Sequence, residues 1–236
     1  MSISMKRAQA IFVKDYKEFS RNYGISIILI FPIILAVLFR SAGASLPGAF
    51  GLVLNGSFVT LTCLAQACLI AEEKERNTLR SLMMTPATTM DVLIGKSALV
   101  FVMSATVLAI STYLFGYELA NIWAFVAVMF LSIILYIAAG TICGLFSKTL
   151  LEASLSIMPV AIVFTGAPGG ALLVKDYPIF KVLDYMPSSQ LVHLLNIRHI
   201  GYTTGDLLKP LLVILAWTVV LTIVAVGLYQ RRLKDE

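Results

Sequence analysis

Six long apolar runs, separated by short polar stretches, dominate the hydrophobic pattern of this chain. They lie at about 23–39, 48–71, 92–117, 121–146, 153–174 and 208–229. Each is near or above the roughly 17–25 residues that an α-helix needs to cross a bilayer. The pattern therefore predicts an all-α polytopic membrane protein with six transmembrane helices. The first run ends in Ala42-Gly43-Ala44, which resembles a signal-peptidase site, but the long polar region before it favours a retained span.

The long polar interruption between the second and third runs covers residues 72–91 and begins E-E-K-E-R-N-T-L-R-S-L-M-M-T-P. Within it, an i, i+3, i+4, i+7 spacing puts an apolar stripe on one helical face. The stripe consists of Leu79, Leu82, Met83 and Pro86. Thr85-Pro86 disfavours further helix, and Thr88-x-x-Asp91 is a capping box that opens the third run. We expect a small amphipathic helix outside the membrane. The alternative is a solvated connecting loop.

Residues 1–21 are predicted to form an amphipathic helix ahead of the first run. Its basic residues are Lys6, Arg7, Lys14, Lys17 and Arg21, and its apolar stripe is Ala8, Phe12, Tyr16 and Phe19. A basic helix with an aromatic stripe typically lies flat in the headgroup region. Two interpretations stay open, a lever lying against the cytoplasmic leaflet and a partner, or a simple anchor.

The fourth and fifth runs contain residues that change helix packing or continuity. Gly140 and Gly144 form a G-x-x-x-G pair in the fourth run, a spacing that lets another helix approach closely. Pro159 interrupts the fifth run, and the sequence G-A-P-G-G at 166–170 breaks its helix before the crossing is complete. The segment 175–207 that follows is too apolar to be simply solvated.

We interpret residues 175–207 as two half-helices that re-enter the outer leaflet, with an interfacial cap as the alternative. Irregular backbone at membrane depth must be buried in protein or line a cavity. Since a permanent opening would leak ions, we expect apolar residues of this segment to close over the path at rest. The predicted outer gate consists of Pro168, Gly169, Gly170, Pro187, Leu191 and Leu195.

Composition and charge agree with a membrane protein. Of the 236 residues, 59% are hydrophobic and 13% charged, against roughly 25% charged in globular chains. The net charge of +5 is spread between the apolar runs, which argues against nucleic acid as a partner. With both termini in the cytoplasm of a cell-membrane protein, 13 of the 18 basic residues lie inside, including those of the tail 231–236. This is a positive-inside bias.

The runs lack the chemistry of a self-powered pump or an intramembrane enzyme. No carboxylate lies at the centre of a run, where a coupling ion would need a partner, and ionisable residues such as Lys96 lie at run ends. The three cysteines have no metal-ligand spacing. We therefore expect no catalytic residue, metal or cofactor in this chain, and an energy source elsewhere.

The polar segment 72–91, together with the Gly95-Lys96 that follows it, resembles the permease subunits of type-2 ATP-binding-cassette (ABC) exporters. In that family an E-x-E-R-G-T-L-E-x-L-x-x-T-P-like stretch forms a coupling helix that binds a groove on a separate ATPase subunit. The resemblance covers essentially the whole chain. It implies that the ATPase-coupling residues are Glu73, Glu75, Arg76, Thr78, Leu79, Leu82, Met83, Thr85 and Pro86.

The same resemblance implies the assembly and the direction of transport. Two permeases, identical or related, would sit in the lipid above two ATPase subunits, which bind ATP and Mg²⁺ and drive export. Asn77 and Arg80 depart from the glycine and glutamate that the family often has. Asparagine also tolerates left-handed backbone geometry, so the turn is kept. The alternative function is a self-sufficient channel or facilitator without an ATPase partner.

Overall fold

The computed structural model describes residues 4–21, 23–43, 47–75, 88–172, 177–200 and 204–235. Most of the expected coupling residues lie outside these ranges: Arg76, Thr78, Leu79, Leu82, Met83, Thr85 and Pro86. The amphipathic helix expected there therefore stays a prediction. Of the coupling set, Glu73 and Glu75 are described.

Across the described ranges, every regular element is helical. A π-helical segment, Phe58–Cys63, joins two α-helices into one long stretch, and 3-10 helices cover Ala167–Leu172 and Pro178–Tyr185. The α-helices are α1 (Met5–Arg21), α2 (Tyr23–Ser41), α3 (Pro47–Ser57), α4 (Leu64–Glu75), α5 (Thr89–Phe115), α6 (Ile122–Phe146), α7 (Leu150–Ser156), α8 (Met158–Gly166), α9 (Pro187–Ile200) and α10 (Thr204–Asp235).

Five stretches in the described part of the chain are long and apolar enough to cross a membrane. They are Pro47–Glu75, Met90–Phe115, Ile122–Phe146, Leu150–Gly170 and Gly205–Arg231. A shorter apolar helix, Ile27–Ser41, corresponds to the first predicted run. The all-helical membrane class is therefore confirmed, while the count of six crossings stays a prediction.

The stretch Pro47–Glu75 is the centre of the molecule. In its most apolar 18 residues, 83% are buried, against 17% in Leu150–Gly170 and in Gly205–Arg231. α6 packs along α4 and the π-helical segment, while α2 and α9 pack on α3. Around this centre, α1 and α2 pack on α5, and α10 packs along α6. The outer helices keep large apolar side chains exposed, as lipid contact requires.

The G-x-x-x-G pair of α6 faces this central stretch. A Cβ atom at Gly140 would overlap the carbonyl oxygen of Cys63, and one at Gly144 would lie 2.7 Å from the oxygen of Ala67. The close approach predicted from the spacing is therefore confirmed. One turn of α6 earlier, the Tyr136 ring stacks on Phe58 of the π-helical segment, with centroids 5.1 Å apart.

The predicted break of the fifth run is also present. α7 ends at Ser156, a turn at Ile157 follows, and Pro159 lies in the first turn of α8. A proline is tolerated in a first turn because its missing N–H has no partner there. The chain then tightens into the 3-10 helix Ala167–Leu172. Beyond it, the segment 175–207 contains the 3-10 helix Pro178–Tyr185 and α9, and their re-entry into a leaflet stays a prediction.

Candidate functional site

A buried ion network lies where α1, α4 and α5 meet. Lys96 Nζ is 3.1 Å from Asp15 Oδ2 and 2.9 Å from Glu73 Oε1, and it also donates to the carbonyl oxygen of Leu69 at 3.2 Å. Three acceptors match the three donors of the ammonium group. The exposed fraction of these charged side chains is between 1% and 6%. Removing one member would leave an uncompensated buried charge.

Lys14 is the second cation of this network and lies at its half-exposed edge. Its Nζ is 3.4 Å from Glu73 Oε1 and 3.6 Å from Asp15 Oδ1. Burial lowers the pKa of Lys14, but the attraction of Glu73, Asp15 and Glu18 outweighs burial, so the pKa is raised above its ordinary value. Lys14 therefore stays positively charged at neutral pH, and two cations face the two buried carboxylates.

α1 approaches α5 closely because Gly95 has no side chain. A Cβ atom there would lie 2.7 Å from the carbonyl oxygen of Ala8 and 2.9 Å from Cβ of Ile11. The buried face of α1 is Ala8, Ile11, Asp15 and Phe19. The apolar stripe expected on α1 is thus divided, since Ala8 and Phe19 pack on protein while Tyr16 is 56% exposed. Contacts with Gly95 and Lys96 therefore determine that the face of α1 carrying Asp15 packs on α5.

The polar segment ends at Thr88–Asp91, which is fixed to the start of α1. The predicted capping box is confirmed, because the Thr88 side chain accepts from the Asp91 N–H and Asp91 Oδ2 accepts from the Thr88 N–H at 2.9 Å. The same carboxylate accepts from the N–H of Ser4 and from Nε of Arg7, both at 2.8 Å. One fully buried carboxylate therefore joins the starts of α1 and α5.

The beginning of the polar segment is fixed to the junction of α6 and α7. Glu75 Oε2 accepts from the N–H of Leu150 at 2.9 Å, at the N-terminus of α7. Lys74 Nζ donates to carbonyl oxygens at the C-terminal end of α6, those of Gly144, Leu145 and Ser147. Helix dipoles favour an anion at an N-terminus and a cation at a C-terminus. Residues 72–75, expected outside the second span, instead continue its helix.

The chain is therefore fixed at two points, one on each side of residues 76–87. The first is the end of α4, bonded to α1, α5, α6 and α7, and the second is Asp91, bonded to the start of α1. In the part of the chain that is described, no group of three or more His, Cys, Asp or Glu side chains is arranged to hold a metal ion.

The residues of the expected outer gate lie in two packed pieces. Pro168, Gly169 and Gly170 belong to the 3-10 helix Ala167–Leu172, which packs against the 3-10 helix Pro178–Tyr185. A Cβ atom at Gly170 would overlap the Leu183 side chain, while one at Gly169 would meet nothing within 4 Å. The other piece, α9, begins at Pro187 and buries Leu191 and Leu195.

α9 is fixed directly to the central stretch. Asn55 Nδ2 donates to the carbonyl oxygen of Ser188 at 3.2 Å. A Cβ atom at Gly51 would lie 2.5 Å from Val192 Cγ2, so the glycine allows α9 to approach α3 closely. Leu191 is 1% exposed and belongs to the main core. Leu191 and Leu195 are therefore core residues of the structure as well as gate candidates.

Sequence reasoning missed the contacts of Asp15 and Asn55. It gave Lys96 as a charge at a run end and as part of the family resemblance, without a partner. The signal for Asp15 was present, because it is the acidic residue on the face of α1 that carries Ala8 and Phe19. Nothing local indicates its partner, which lies 81 residues further along the chain. Asn55 offered a weaker signal, as an amide inside an apolar run that needs a buried partner.

A family model described as ABC-2 family transporter protein matches residues 14–226, and this range includes α2 to α9 and both ends of the polar segment. The chain is a member of the ABC-2 transporter family. No curated protein matches it. As an ABC transporter permease, it is a multi-pass membrane transport component, and permeases of this family generally work with an ABC ATPase. The helical architecture and the apolar stretches agree with that membership.

Proposed function

We propose that this ABC-2 protein is the permease subunit of an ATP-driven exporter and is coupled to a separate ATPase subunit through residues 72–91. The observation that carries the proposal is the ionic fixation of both ends of this segment, by the Lys96 network and by Asp91. A solvated connecting loop has no need of buried charged contacts, which are costly to form. A segment that receives force needs firm attachment at both ends.

The contacts give the force two routes into the membrane. One runs through Asp15, Lys96 and Asp91 to α1 and α5, so that α1 serves as the lever expected from its sequence. The other runs through Lys74 and Glu75 to the junction of α6 and α7. Because α5, α6 and the α7–α8 stretch are long apolar helices, a push from below would move helices that line the substrate path.

The proposed complex has two permease copies, identical or related, and two ATPase subunits. ATP and Mg²⁺ bind the ATPase subunits, and this chain supplies no catalytic group. Both termini and residues 72–91 face the cytoplasm of the cell membrane, in keeping with the 13 to 5 distribution of basic residues. The chain crosses the membrane six times, with α2 as the first crossing.

The gate at the opposite end is proposed to consist of the two 3-10 helices and α9. Its residues are Pro168, Gly169, Gly170, Pro187, Leu191 and Leu195. At rest, Leu183 packs on Gly170, and α9 is held to α3 by Asn55. Opening requires these contacts to part when ATP binding below moves the spans.

The deciding experiment asks whether an ATPase subunit co-purifies with the tagged chain from its native membrane. We expect co-purification with the native chain and its loss with Leu82→Asp, since an unpaired charge would enter an apolar contact. Leu82→Met is the matched control and should keep both binding and membrane abundance. Normal ATPase binding and transport in Leu82→Asp would support a solvated loop. Transport by the native chain without any ATPase would support the channel or facilitator.

A further inference from the structure

Four aromatic rings form a continuous chain across the bundle, from the π-helical segment to α10. The ring of Tyr136 stacks on Phe58 with an angle of 3° between the ring planes, and it meets the Phe164 ring edge-on, with centroids 5.5 Å apart. Phe164 in turn meets Trp217 edge-on, with centroids 6.4 Å apart. Stacked and edge-to-face pairs at about 4.5–7 Å are favourable beyond the area that they bury. Each ring comes from a different element, namely the π-helical segment, α6, α8 and α10.

The last ring of this chain is bonded to the backbone that joins the two pieces of the expected outer gate. Trp217 Nε1 donates to the carbonyl oxygen of Tyr185 at 2.9 Å. Tyr185 is the final residue of the 3-10 helix Pro178–Tyr185, and Met186, in extended conformation, is the one residue between this helix and α9. α10 also contacts Tyr185 through Lys209, whose Nζ lies 5.9 Å from the centroid of the tyrosine ring. The joint between the two pieces of the gate is therefore attached to α10.

The first ring of the chain belongs to the π-helical part of the central stretch. Phe58 opens the segment Phe58–Cys63, and a π-helical turn within an α-helix is rare and is frequently found at functional sites. The segment lies between Asn55, which is bonded to α9, and Glu73, which belongs to the buried ion network. A change in the π-helical turn would move Phe58, and Tyr136, stacked on it, would follow.

Tyr136 is positioned by its ring and not by its hydroxyl. The residue is 1% exposed, and the hydroxyl has no hydrogen-bond partner among the described residues. A buried hydroxyl without a partner destabilises the folded state, so it does not explain the position of this side chain. The aromatic contacts with Phe58 and Phe164 therefore hold Tyr136, and loss of the hydroxyl should leave the chain of rings intact.

We propose that Trp217 is a latch that holds the outer gate closed at rest, and that the π-helical segment controls this latch through Tyr136 and Phe164. While Trp217 donates to Tyr185, the joint at Met186 stays on α10. When the central stretch moves at its π-helical turn, the displaced rings turn the indole, and its hydrogen bond is lost. This inference rests on the gate proposed above and adds the residues that position it.

The test measures how fast a cysteine at the joint reacts. In a background without the three native cysteines, Met186→Cys, at a half-buried position, is treated with N-ethylmaleimide in detergent, so that the result depends on neither the orientation nor an ATPase. Trp217→Phe keeps a ring and removes the N–H donor. We expect it to raise the labelling rate about two- to tenfold, the factor that one hydrogen bond supplies. Trp123→Phe makes the same change at an 80% exposed position of α6 and should leave the rate unchanged.

Two changes at Tyr136 test the chain of rings. Tyr136→Phe keeps the stacking and should label at the parent rate, whereas Tyr136→Leu loses the stacking and should label several-fold faster. If the rings act through the latch, Tyr136→Leu should add nothing to the rate of Trp217→Phe. Residues that act independently would instead multiply their factors. Gel filtration checks that each variant is folded, and Phe164→Leu, at the next ring, takes the place of Tyr136→Leu if the latter does not fold.

Two results would overturn the proposal. The parent labelling rate in Trp217→Phe would mean that this hydrogen bond does not hold the joint. Multiplied factors in the double variant, or a faster rate in Tyr136→Phe, would mean that the rings do not control the latch. Neither result would change the co-purification of an ATPase, which tests the proposed coupling separately.

Discussion

At the scale of single residues, short-range and long-range interactions differ in how well the sequence predicts them. The capping box of Thr88 and Asp91 lies within four residues, so its geometry follows from local backbone rules and was predicted in full. The pair of Lys96 and Asp15 joins residues 81 positions apart. Hydropathy places Lys96 at the end of an apolar run and Asp15 in a basic helix, and no local rule predicts that the two residues are in contact.

The burial of this pair leads to the first prediction. Lys96→Met should lower the free energy of unfolding in detergent by at least ~3 kcal/mol, because Asp15 and Glu73 would be left buried without their closest cation. Lys14, at the edge of the network, compensates only in part. Adding Asp15→Asn should recover part of the loss, since one buried charge is then removed.

The matched control is Lys17→Met, on the exposed side of α1. It makes the same chemical change without a buried partner and should stay within about 0.5 kcal/mol of the native chain. If Lys96→Met were as mild as Lys17→Met, the ion network would not hold α1 on α5. The proposed route of force through Asp15 would then be lost.

At the scale of elements, hydropathy predicted the long helices because a bilayer fixes their length and apolar character. Hydropathy did not predict where these helices end. The helix expected to stop at residue 71 continues to Glu75, because Lys74 and Glu75 find partners on α6 and α7. The position of α9 was not predicted either, since it depends on contacts with Gly51 and Asn55 of α3.

The second prediction separates the two glycines of the expected gate. Gly170→Ala should lower the free energy of unfolding by about 1–3 kcal/mol, because its methyl group would displace Leu183 between the two 3-10 helices. It should also raise the leak of a small dye from reconstituted vesicles. Both quantities are measured on the same preparations.

Gly169→Ala is the control at the neighbouring position, where a methyl group meets open space. The free energy of unfolding should change by less than about 0.5 kcal/mol, as for an ordinary surface substitution. The dye leak should stay at the native level. A leak that stays at the native level in Gly170→Ala despite lost stability would show that these helices are a cap. The gate would then lie elsewhere.

At the scale of the whole molecule, one buried central stretch is surrounded by helices that expose apolar side chains to lipid. The charged contacts described above lie at the end of this bundle where α1, α4 and α5 meet. The gate candidates of α9 pack on α3, at the other end of the central stretch. The distribution of basic residues predicts which of these ends faces the cytoplasm, because it reflects membrane insertion more than folding. It did not predict how the ends are joined, which depends on contacts between distant segments.

The third prediction concerns which end faces the cytoplasm. In a background without Cys63, Cys68 and Cys143, single cysteines are introduced as Lys17→Cys and Lys181→Cys, at positions that are both exposed. A membrane-impermeant maleimide should label position 181 in intact cells and position 17 only after permeabilisation, because the basic segments are retained inside. Ser189 is unsuitable as an outer position, since it is only 4% exposed.

Labelling of both positions after permeabilisation is the control that each cysteine can react. Labelling of position 17 in intact cells would reverse the orientation. Glu73 and Asp91, at the two ends of segment 72–91, are fixed to α1 by these contacts, so the segment would then begin and end on the side away from any cytoplasmic ATPase. Coupling through that segment would be impossible, whatever the result of the gate experiment. Because α1 and the segment are joined by these contacts, one labelled position on α1 tests the orientation of both.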